Sequence, residues 1–291
     1  MRLVTFADGK GQRLGVLEGE EIADVTAAAR DLPQAVAAYC GNDRLEELRR
    51  ALGRAPRLRA ADVRLLAPIP RPAKNIFCVG KNYHEHAKEF HDSGFDASAG
   101  AAAIPDLPII FTKAATTVIG PEAPIPGSSD PTQSVDYEGE LTVVIGKGGR
   151  GIRKADAHAH VFGYTIINDV TARTLQHAHK QWFLGKNLDG FCPMGPCVVT
   201  ADEVPDVGGL RLETRVNGEV RQSAAVSDLI FDIPTLIETI SGVMTLEPGD
   251  LIATGTPVGV GIGFKPPKYL KAGDTVSITI EPIGTLTNPV A

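Results

Sequence analysis

The sequence predicts a β-dominated α+β protein, and two observations support this fold class. Short runs of apolar and β-branched residues recur along most of the chain, separated by turns in which Gly (31 residues) and Pro (21 residues) are frequent. Few segments have the apolar spacing of an amphipathic helix. Strands that follow one another without intervening helices are typical of an α+β fold and not of an alternating βαβ chain.

The first 70 residues are predicted to form a small α/β unit. Three prolines within Pro68–Pro72 interrupt regular structure, so we place a domain boundary at residue 70, between domains 1–70 and 71–291. The unit is expected to contain two short strands and two helices, namely Met1–Phe6, Arg13–Leu17, Pro33–Tyr39 and Arg44–Leu52.

The larger domain is predicted to be rich in strands. Asn217-Gly218 suits a type I′ turn and therefore predicts a hairpin, and Asp232 is a candidate N-cap for the last helix. The other predicted strands are Asn75–Val79, Pro108–Phe111, Leu141–Ile145, Val161–Ile167, Leu251–Thr254 and Val276–Ile280. The predicted helices are Tyr83–Phe90, Thr171–Lys180 and Pro234–Val243.

Composition narrows the function classes. The 291 residues are 43% hydrophobic and 22% charged, and the net charge is -6 without basic clusters, so we expect no nucleic-acid partner and no membrane partner. The N-terminal segment lacks the apolar core of a signal peptide, and we expect a cytoplasmic protein. The four cysteines have no zinc-finger spacing, and most of them are expected to be buried free thiols.

Three carboxylates are the strongest functional signal. Glu138 and Glu140 lie in the strand-like stretch Asp136–Ile145, and Asp169 ends the stretch Tyr164–Asp169. Residues i and i+2 of a strand point to one face, so Glu138 and Glu140 repel each other unless a positive charge lies between them. Oxygen ligands favour Mg²⁺ or Mn²⁺ over zinc. An acidic pair on a solvated strand face is the structural alternative.

A histidine and a glutamate form a second candidate pair. His86 and Glu89 are three residues apart in a predicted helix and therefore share a face. A carboxylate beside an imidazole raises its basicity and selects its tautomer, which suits a base that activates water. The alternative is a solvated helix face, because the same helix also carries other charged residues.

Two further segments contain candidate binding groups. Lys186 lies in an apolar, aromatic, glycine-punctuated stretch, where a partly desolvated lysine can stabilise an oxyanion or enolate, or can simply extend to solvent. Leu251–Gly263 is a strand that continues into a glycine-rich loop, whose amides and Thr256 can bind a carboxylate. The loop contains neither a P-loop nor a dinucleotide fingerprint.

Taken together, five motifs in order resemble the fumarylacetoacetate hydrolase (FAH) family over residues 68–291. The motifs are Gly80-Lys-Asn-Tyr with His86-x-x-Glu89, Asp136-Tyr-Glu-Gly-Glu-Leu, Asn168-Asp-Val-Thr-Ala-Arg, Gly185-Lys-Asn-Leu-Asp and Thr254-Gly-Thr-Pro-x-Gly-Val-Gly. The resemblance implies a mixed β-roll, a homodimer and a divalent metal: Mg²⁺, with Mn²⁺ or Ca²⁺ as alternatives.

The resemblance also implies roles for individual residues. Glu138, Glu140 and Asp169 match the family's metal carboxylates. His86 and Glu89 match a catalytic dyad carried on a lid, and Lys186 matches the active-site lysine. The implied substrate-binding residues are Gln176, Thr256, Tyr83 and Lys81. After Glu89 the chain is longer than in the shortest family members, so we expect residues 84–104 to form a mobile lid of altered shape.

The leading functional hypothesis is hydrolytic C–C cleavage of a 2,4-dioxo acid, an acylpyruvate or fumarylpyruvate-like small 2-oxo acid. In it, His86 activates a water and the metal stabilises a pyruvate enolate. The same site can also serve an isomerase or tautomerase of 2-hydroxymuconate-type acids, similar to 5-carboxymethyl-2-hydroxymuconate isomerase, or an oxaloacetate decarboxylase. A catalytically silent metal-binding β-roll is the non-enzyme alternative.

Overall fold

The computed structural model describes residues 1–9, 11–96 and 103–291. Its strands are Arg2–Ala7 (β1), Gln12–Glu18 (β2), Glu21–Asp24 (β3), Arg57–Arg59 (β4), Arg64–Leu66 (β5), Ile76–Gly80 (β6), Ile109–Lys113 (β7), Val118–Ile119 (β8), Val135–Asp136 (β9), Gly139–Ile145 (β10), Val161–Asn168 (β11), Thr171–Ala172 (β12), Cys192–Thr200 (β13), Arg211–Val216 (β14), Glu219–Ala225 (β15), Leu251–Ala253 (β16), Thr275–Ile280 (β17) and Gly284–Pro289 (β18). Its α-helices are Val25–Ala28 (α1), Leu45–Leu52 (α2), His84–Asp92 (α3), Arg173–Ala178 (α4), Phe183–Lys186 (α5) and Ile233–Val243 (α6).

Three sheets organise these strands. A large mixed sheet has the order β4-β3-β2-β1-β13-β11-β10-β16-β6-β7, with β5 also paired to β1 and β8 to β13. A second sheet has the order β15-β14-β17-β18, and β9 pairs with β12. Most neighbours are antiparallel, whereas β16 with β6 and β13 with β8 are parallel. The predicted β-dominated α+β class is confirmed.

The core lies on both faces of the large sheet. Along β10, Leu141, Val143 and Ile145 belong to one apolar cluster, whereas Val144 belongs to the other. Successive side chains of a strand point to opposite faces, so a strand buried on both faces is a continuous apolar run. The predicted stretch Asp136–Ile145 is in fact two strands, because Tyr137 and Glu138 separate β9 from β10.

Several local predictions are confirmed. Asn217 and Gly218 both have positive φ, as a type I′ turn requires, and they join β14 to β15. Asp232 caps α6 by accepting a hydrogen bond from the Thr235 amide. The helix predicted at Pro33–Tyr39 is only a 3₁₀ turn over Val36–Tyr39. The residue that precedes this turn is Ala35, which has no side-chain group to cap it. All four cysteines are free and buried.

The N-terminal strands continue the sheet of the larger domain. β1 pairs with β13 through Arg2 opposite Val199 and Leu3 opposite Val198. The boundary at residue 70 stays a prediction, and the backbone hydrogen bonds cross it. In the described part of the chain, no helix is long and apolar enough to cross a membrane.

Candidate active site

The three predicted carboxylates meet at one place on the large sheet. Gly139 of β10 pairs with Asn168 of β11. Glu138 and Glu140 flank Gly139, and Asp169 follows Asn168, so this pairing brings the three carboxylates together. One oxygen from each carboxylate lies within 4.8 Å of the others, and all three side chains are buried. The prediction that Glu138 and Glu140 project together is confirmed.

Glu138 is paired with two buried cations. Its Oε1 lies 2.7 Å from Nη2 of Arg173, and its Oε2 accepts a 2.7 Å hydrogen bond from Nζ of Lys186. Burial alone raises the pKa of a carboxyl group, but Lys186 and then Arg173 outweigh it and lower the pKa of Glu138 to about 2. Glu138 is therefore ionised at any physiological pH.

Asp169 lies between two lysines. Its Oδ2 accepts a 2.7 Å hydrogen bond from Lys186, and its Oδ1 is 2.8 Å from Nζ of Lys113. Lys113 is fully buried in β7 and also donates to the backbone carbonyls of Val170 and Lys186. The carboxylate of Asp169 is thus held in one orientation from two sides.

Glu140 differs from the other two carboxylates. Its Oε2 accepts a 2.8 Å hydrogen bond from the Gly255 amide, and no ion pair among the described residues includes it. Burial, followed by the charges of Asp169 and Glu138, raises the pKa of Glu140 well above its usual value. A cation beside Glu140 would relieve this repulsion.

The donor set fits a hard divalent cation. Three carboxylate oxygens within reach of one ion suit Mg²⁺, Mn²⁺ or Ca²⁺, which prefer oxygen ligands, and Glu140 is a buried carboxylate that forms no ion pair with any described residue. Glu138, Glu140 and Asp169 are the residues that would hold the ion.

The predicted dyad lies on α3, above the carboxylates. Nδ1 of His86 is 3.1 Å from Oε2 of Glu89, and both oxygens of Glu89 accept from the Gly259 amide, at 3.0 and 3.2 Å. A Cβ at Gly263 would lie 2.0 Å from the Glu89 carboxylate. The glycine-rich loop therefore binds Glu89, and Glu89 in turn orients the imidazole.

The space between α3 and the carboxylates is small and partly aromatic. Phe90 of α3 packs against Trp182 in a T-shaped contact with ring centroids 5.8 Å apart, and Trp182 packs in the same way against Phe111 at 5.2 Å. The cavity between them has a volume of about 10 Å³, which is room for about one water molecule. The lid side chains His86 and Phe90 thus lie close to Glu138 and Glu140.

The structure also places the remaining predicted residues. Gln176 accepts a 3.2 Å hydrogen bond from Arg173, Thr256 donates to the Gly139 carbonyl, and both line the cavity together with Lys81. Tyr83 does not line it; this residue precedes α3, forms a β-bridge with Leu229 and faces a separate groove. The segment predicted as a lid, 84–104, includes residues 97–102, which lie outside the described residues.

Sequence reasoning missed three charged residues of the site. Arg173 is buried, lines the cavity and binds Glu138 and Asp136. Asp136 also accepts hydrogen bonds from the Gly261 and Ile262 amides, so it joins Arg173 to the glycine-rich loop. Lys113 could have been found by the reasoning used for Lys186, because it too is a lone lysine in an apolar stretch.

Comparison with known proteins supports this description. A family model of the fumarylacetoacetate (FAA) hydrolase C-terminal domain matches residues 75–291. Oxaloacetate tautomerase YisK of Bacillus subtilis (strain 168) is 55% identical over 230 residues, which cover 79% of this chain and 74% of that protein.

Two solved structures are similar over the whole chain. A fumarylacetoacetate hydrolase from psychrophilic Exiguobacterium antarcticum has a TM-score of 0.84 at 43% identity, covering 100% of this chain and 99% of that chain. Maleylpyruvate hydrolase from Sphingobium sp. SYK-6, in complex with manganese(II) and pyruvate, has a TM-score of 0.79 at 34% identity with the same coverage.

Fold and site together define a class of protein, an α+β enzyme with a buried carboxylate cluster suited to a divalent metal. The chain belongs to the fumarylacetoacetate hydrolase family, whose members are enzymes and mostly metal-dependent. The family predicted from the five motifs is confirmed.

Proposed function

We propose that this protein interconverts the enol and keto forms of a small 2-oxo acid, oxaloacetate in particular, with a divalent metal. The observation that carries the proposal is the site geometry: His86, held by Glu89, faces Glu138 and Glu140 across a cavity of about 10 Å³. Identity of 55% with an oxaloacetate tautomerase supports the substrate.

The carboxylate cluster would hold the cation, Mg²⁺ being favoured and Mn²⁺ or Ca²⁺ being alternatives. A bound divalent ion would supply positive charge that stabilises the enolate form of a 2-oxo acid. Arg173 lines the cavity and is fully buried, so its guanidinium is suited to bind a substrate carboxylate in a fixed orientation. Gln176 binds Arg173 and would help to align it.

His86 would move the proton. Glu89 binds Nδ1, which leaves Nε2 to take a proton from carbon 3 of the keto acid and deliver it to the 2-oxo oxygen, and to move it back in the reverse direction. Lys186, buried beside Glu138 and Asp169, would stabilise negative charge that develops on the substrate. Tautomerisation moves protons only, so it requires no water in the cavity.

The aromatic wall favours this reaction over hydrolysis. Phe90, Phe111 and Trp182 limit the space for a nucleophilic water next to the substrate, and exclusion of water protects an enolate from side reactions. A small dicarboxylate also needs less enlargement of the cavity than an acylpyruvate with a long acyl group.

Hydrolysis of a 2,4-dioxo acid is the second candidate function. A histidine oriented by Glu89, which is itself bound by the Gly259 amide, is also the arrangement of a base that activates water. The likeness to a maleylpyruvate hydrolase supports this alternative.

One assay separates the candidates. Enolic oxaloacetate and a small acylpyruvate are each followed by loss of enol absorbance, with Mg²⁺ or with EDTA, while pyruvate is measured. Metal-dependent conversion of oxaloacetate without pyruvate supports the tautomerase. Stoichiometric pyruvate from the acylpyruvate supports the hydrolase, and pyruvate from oxaloacetate alone supports a decarboxylase. No turnover of any of them would contradict the proposal and favour a silent metal-binding protein.

A further inference from the structure

A buried ion pair joins the chain segments that precede and follow the helix that carries His86 and Glu89. We call α3, His84–Asp92, the lid helix. Nζ of Lys81, three residues before the helix, lies 2.8 Å from Oδ2 of Asp96, four residues after it, and the two side chains are only 3% and 2% exposed. Lys81 has a φ of 56°, an uncommon value for a residue with a side chain. The backbone at Lys81 is thus held in an unusual conformation next to this contact.

The segment around Asp96 also touches α4, through His177. The Phe95 ring packs against His177 of α4 with centroids 5.4 Å apart, and the Phe95 carbonyl is 3.3 Å from Nδ1 of His177. The same helix α4 carries Arg173 and Gln176, which line the cavity. The chain just after the lid helix therefore contacts Lys81 before the helix, His91 within it (Nδ1 lies 3.8 Å from Oδ2 of Asp96) and the helix α4.

We infer that Asp96 is a positioning residue, which holds the lid helix closed through Lys81 and so keeps His86 and Glu89 over the carboxylate cluster. The inference concerns the site of the proposed function and rests on that function only for its effect on turnover. Asp96 does not line the cavity, whereas Lys81 does.

The effect of Asp96 on the lid helix follows from the energetics of a buried ion pair. Its attraction is offset by the loss of hydration of both charges, so the intact pair adds little net stability and can separate when the lid helix opens. Removal of one partner is different, because it leaves the other charge buried without compensation. Without the Asp96 carboxylate, Lys81 is best hydrated in an open state, and the equilibrium moves toward opening.

The chain contains a natural reporter of this equilibrium. Trp182 is its single tryptophan and is 7% exposed. Phe90 of the lid helix covers it, with ring centroids 5.8 Å apart. Opening of the lid helix removes Phe90 from Trp182, so the indole becomes accessible to a neutral quencher and its emission shifts to longer wavelength.

The experiment compares three variants of the full chain without substrate. Asp96→Asn removes the negative charge and keeps the size of the side chain, whereas Asp96→Glu keeps the charge. Asp92→Asn is the control, because Asp92 is an exposed aspartate at the end of the same helix. Acrylamide quenching of Trp182 and hydrogen–deuterium exchange of the amides of α3 and α6 are measured, together with kcat and KM for oxaloacetate.

We expect Asp96→Asn to increase quenching severalfold and to accelerate exchange in α3 by about tenfold or more, the factor that corresponds to the loss of one buried charge-assisted hydrogen bond. Exchange in α6, Ile233–Val243, should stay unchanged, which shows that the protein remains folded. Asp92→Asn should equal the wild type, and Asp96→Glu should restore part of the protection.

Equal quenching and exchange in Asp96→Asn and Asp92→Asn would overturn the inference, even if turnover fell. The kinetic signature of the positioning role is a lower kcat in Asp96→Asn that Asp96→Glu partly restores. If the wild type does not turn over oxaloacetate but Asp96→Asn opens the lid helix, the proposed function fails and the inference about Asp96 stands.

Discussion

The carboxylate cluster and the lid helix face each other across the cavity, but they are held by different forces. Glu138, Glu140 and Asp169 lie at the ends of two adjacent strands, and the β10–β11 register sets their spacing. The lid helix is held mainly by side chains, through the Glu89–Gly259 and Lys81–Asp96 contacts. Backbone register makes the cluster rigid, whereas each contact of the lid can break without unfolding the sheet.

The largest effect is expected at the carboxylate cluster. Asp169→Asn removes the shared partner of Lys113 and Lys186, two buried lysines, and should lower the free energy of unfolding by about 3–5 kcal/mol. Mn²⁺ binding, measured by calorimetry, should be lost together with turnover, and urea unfolding measures stability. Asp189→Asn, an exposed aspartate, is the control. Unchanged stability and Mn²⁺ affinity in Asp169→Asn would show that Asp169 is not part of a rigid metal site.

Substitutions in the lid helix should lower turnover without lowering the stability of the protein. His86→Ala is expected to lower kcat by about 10²–10⁴-fold, the usual contribution of a general base, while Mg²⁺ affinity stays within a factor of about two. His84→Ala, on the exposed face of the same helix, should leave both unchanged. Steady-state kinetics and calorimetry check this prediction, and normal turnover in His86→Ala would remove His86 from the mechanism.

The orienting glutamate should have a smaller effect. Glu89→Gln keeps the size of the side chain but weakens its bonds to His86 and the Gly259 amide, and we expect a loss of kcat of about 10–100-fold. Glu85→Gln, exposed on the same helix, is the matched control. A loss as large as that of His86→Ala would mean that Glu89 acts on the substrate directly.

The smallest expected effect is a change in the pH dependence of stability when Glu140 is replaced. Because the pKa of Glu140 is raised above its unfolded value, the folded metal-free protein binds more protons there, and the contribution of Glu140 to stability falls as the pH rises above about 4.3. Glu140→Gln cannot ionise, so the metal-free variant should exceed the wild type by about 1 kcal/mol or more at pH 8 and equal it near pH 4.

Thermal unfolding with EDTA and with Mg²⁺ measures this difference. Mg²⁺ should raise the Tm of the wild type more at pH 8 than at pH 5, because the carboxyl groups that bind the ion must be deprotonated. It should raise the Tm of Glu140→Gln much less. A metal-free wild type whose stability does not fall between pH 5 and pH 8 would contradict the uncompensated charge of Glu140.

The predictable part of the site is the part that local rules determine. The i, i+2 spacing on a strand predicts that Glu138 and Glu140 project together, and the i, i+3 spacing on a helix predicts the contact of His86 with Glu89; the structure confirms both. Turn and cap chemistry likewise predict the hairpin at Asn217-Gly218.

Contacts across long sequence separations were not predictable in this way. Lys113 is 56 residues before Asp169 and Arg173 is 37 residues after Asp136, so these contacts depend on the tertiary fold, and no local pattern encodes them. Tyr83 stays a prediction: its motif implied substrate binding, and it lines a groove outside the cavity, whereas burial and then the charge of Glu140 raise the pKa of its hydroxyl. Side-chain direction at the ends of elements depends on tertiary packing.

The pairing of β1 with β13 has a consequence for how the chain can be shortened. β13 is bordered by β11 on one side and by β1 on the other, so removal of the N-terminal strands leaves a row of unpaired amides and carbonyls beside Val198 and Val199. An exposed strand edge of this kind invites pairing with other molecules. A protein reduced to the segment 75–291 should therefore aggregate during expression, although that segment contains every predicted active-site residue.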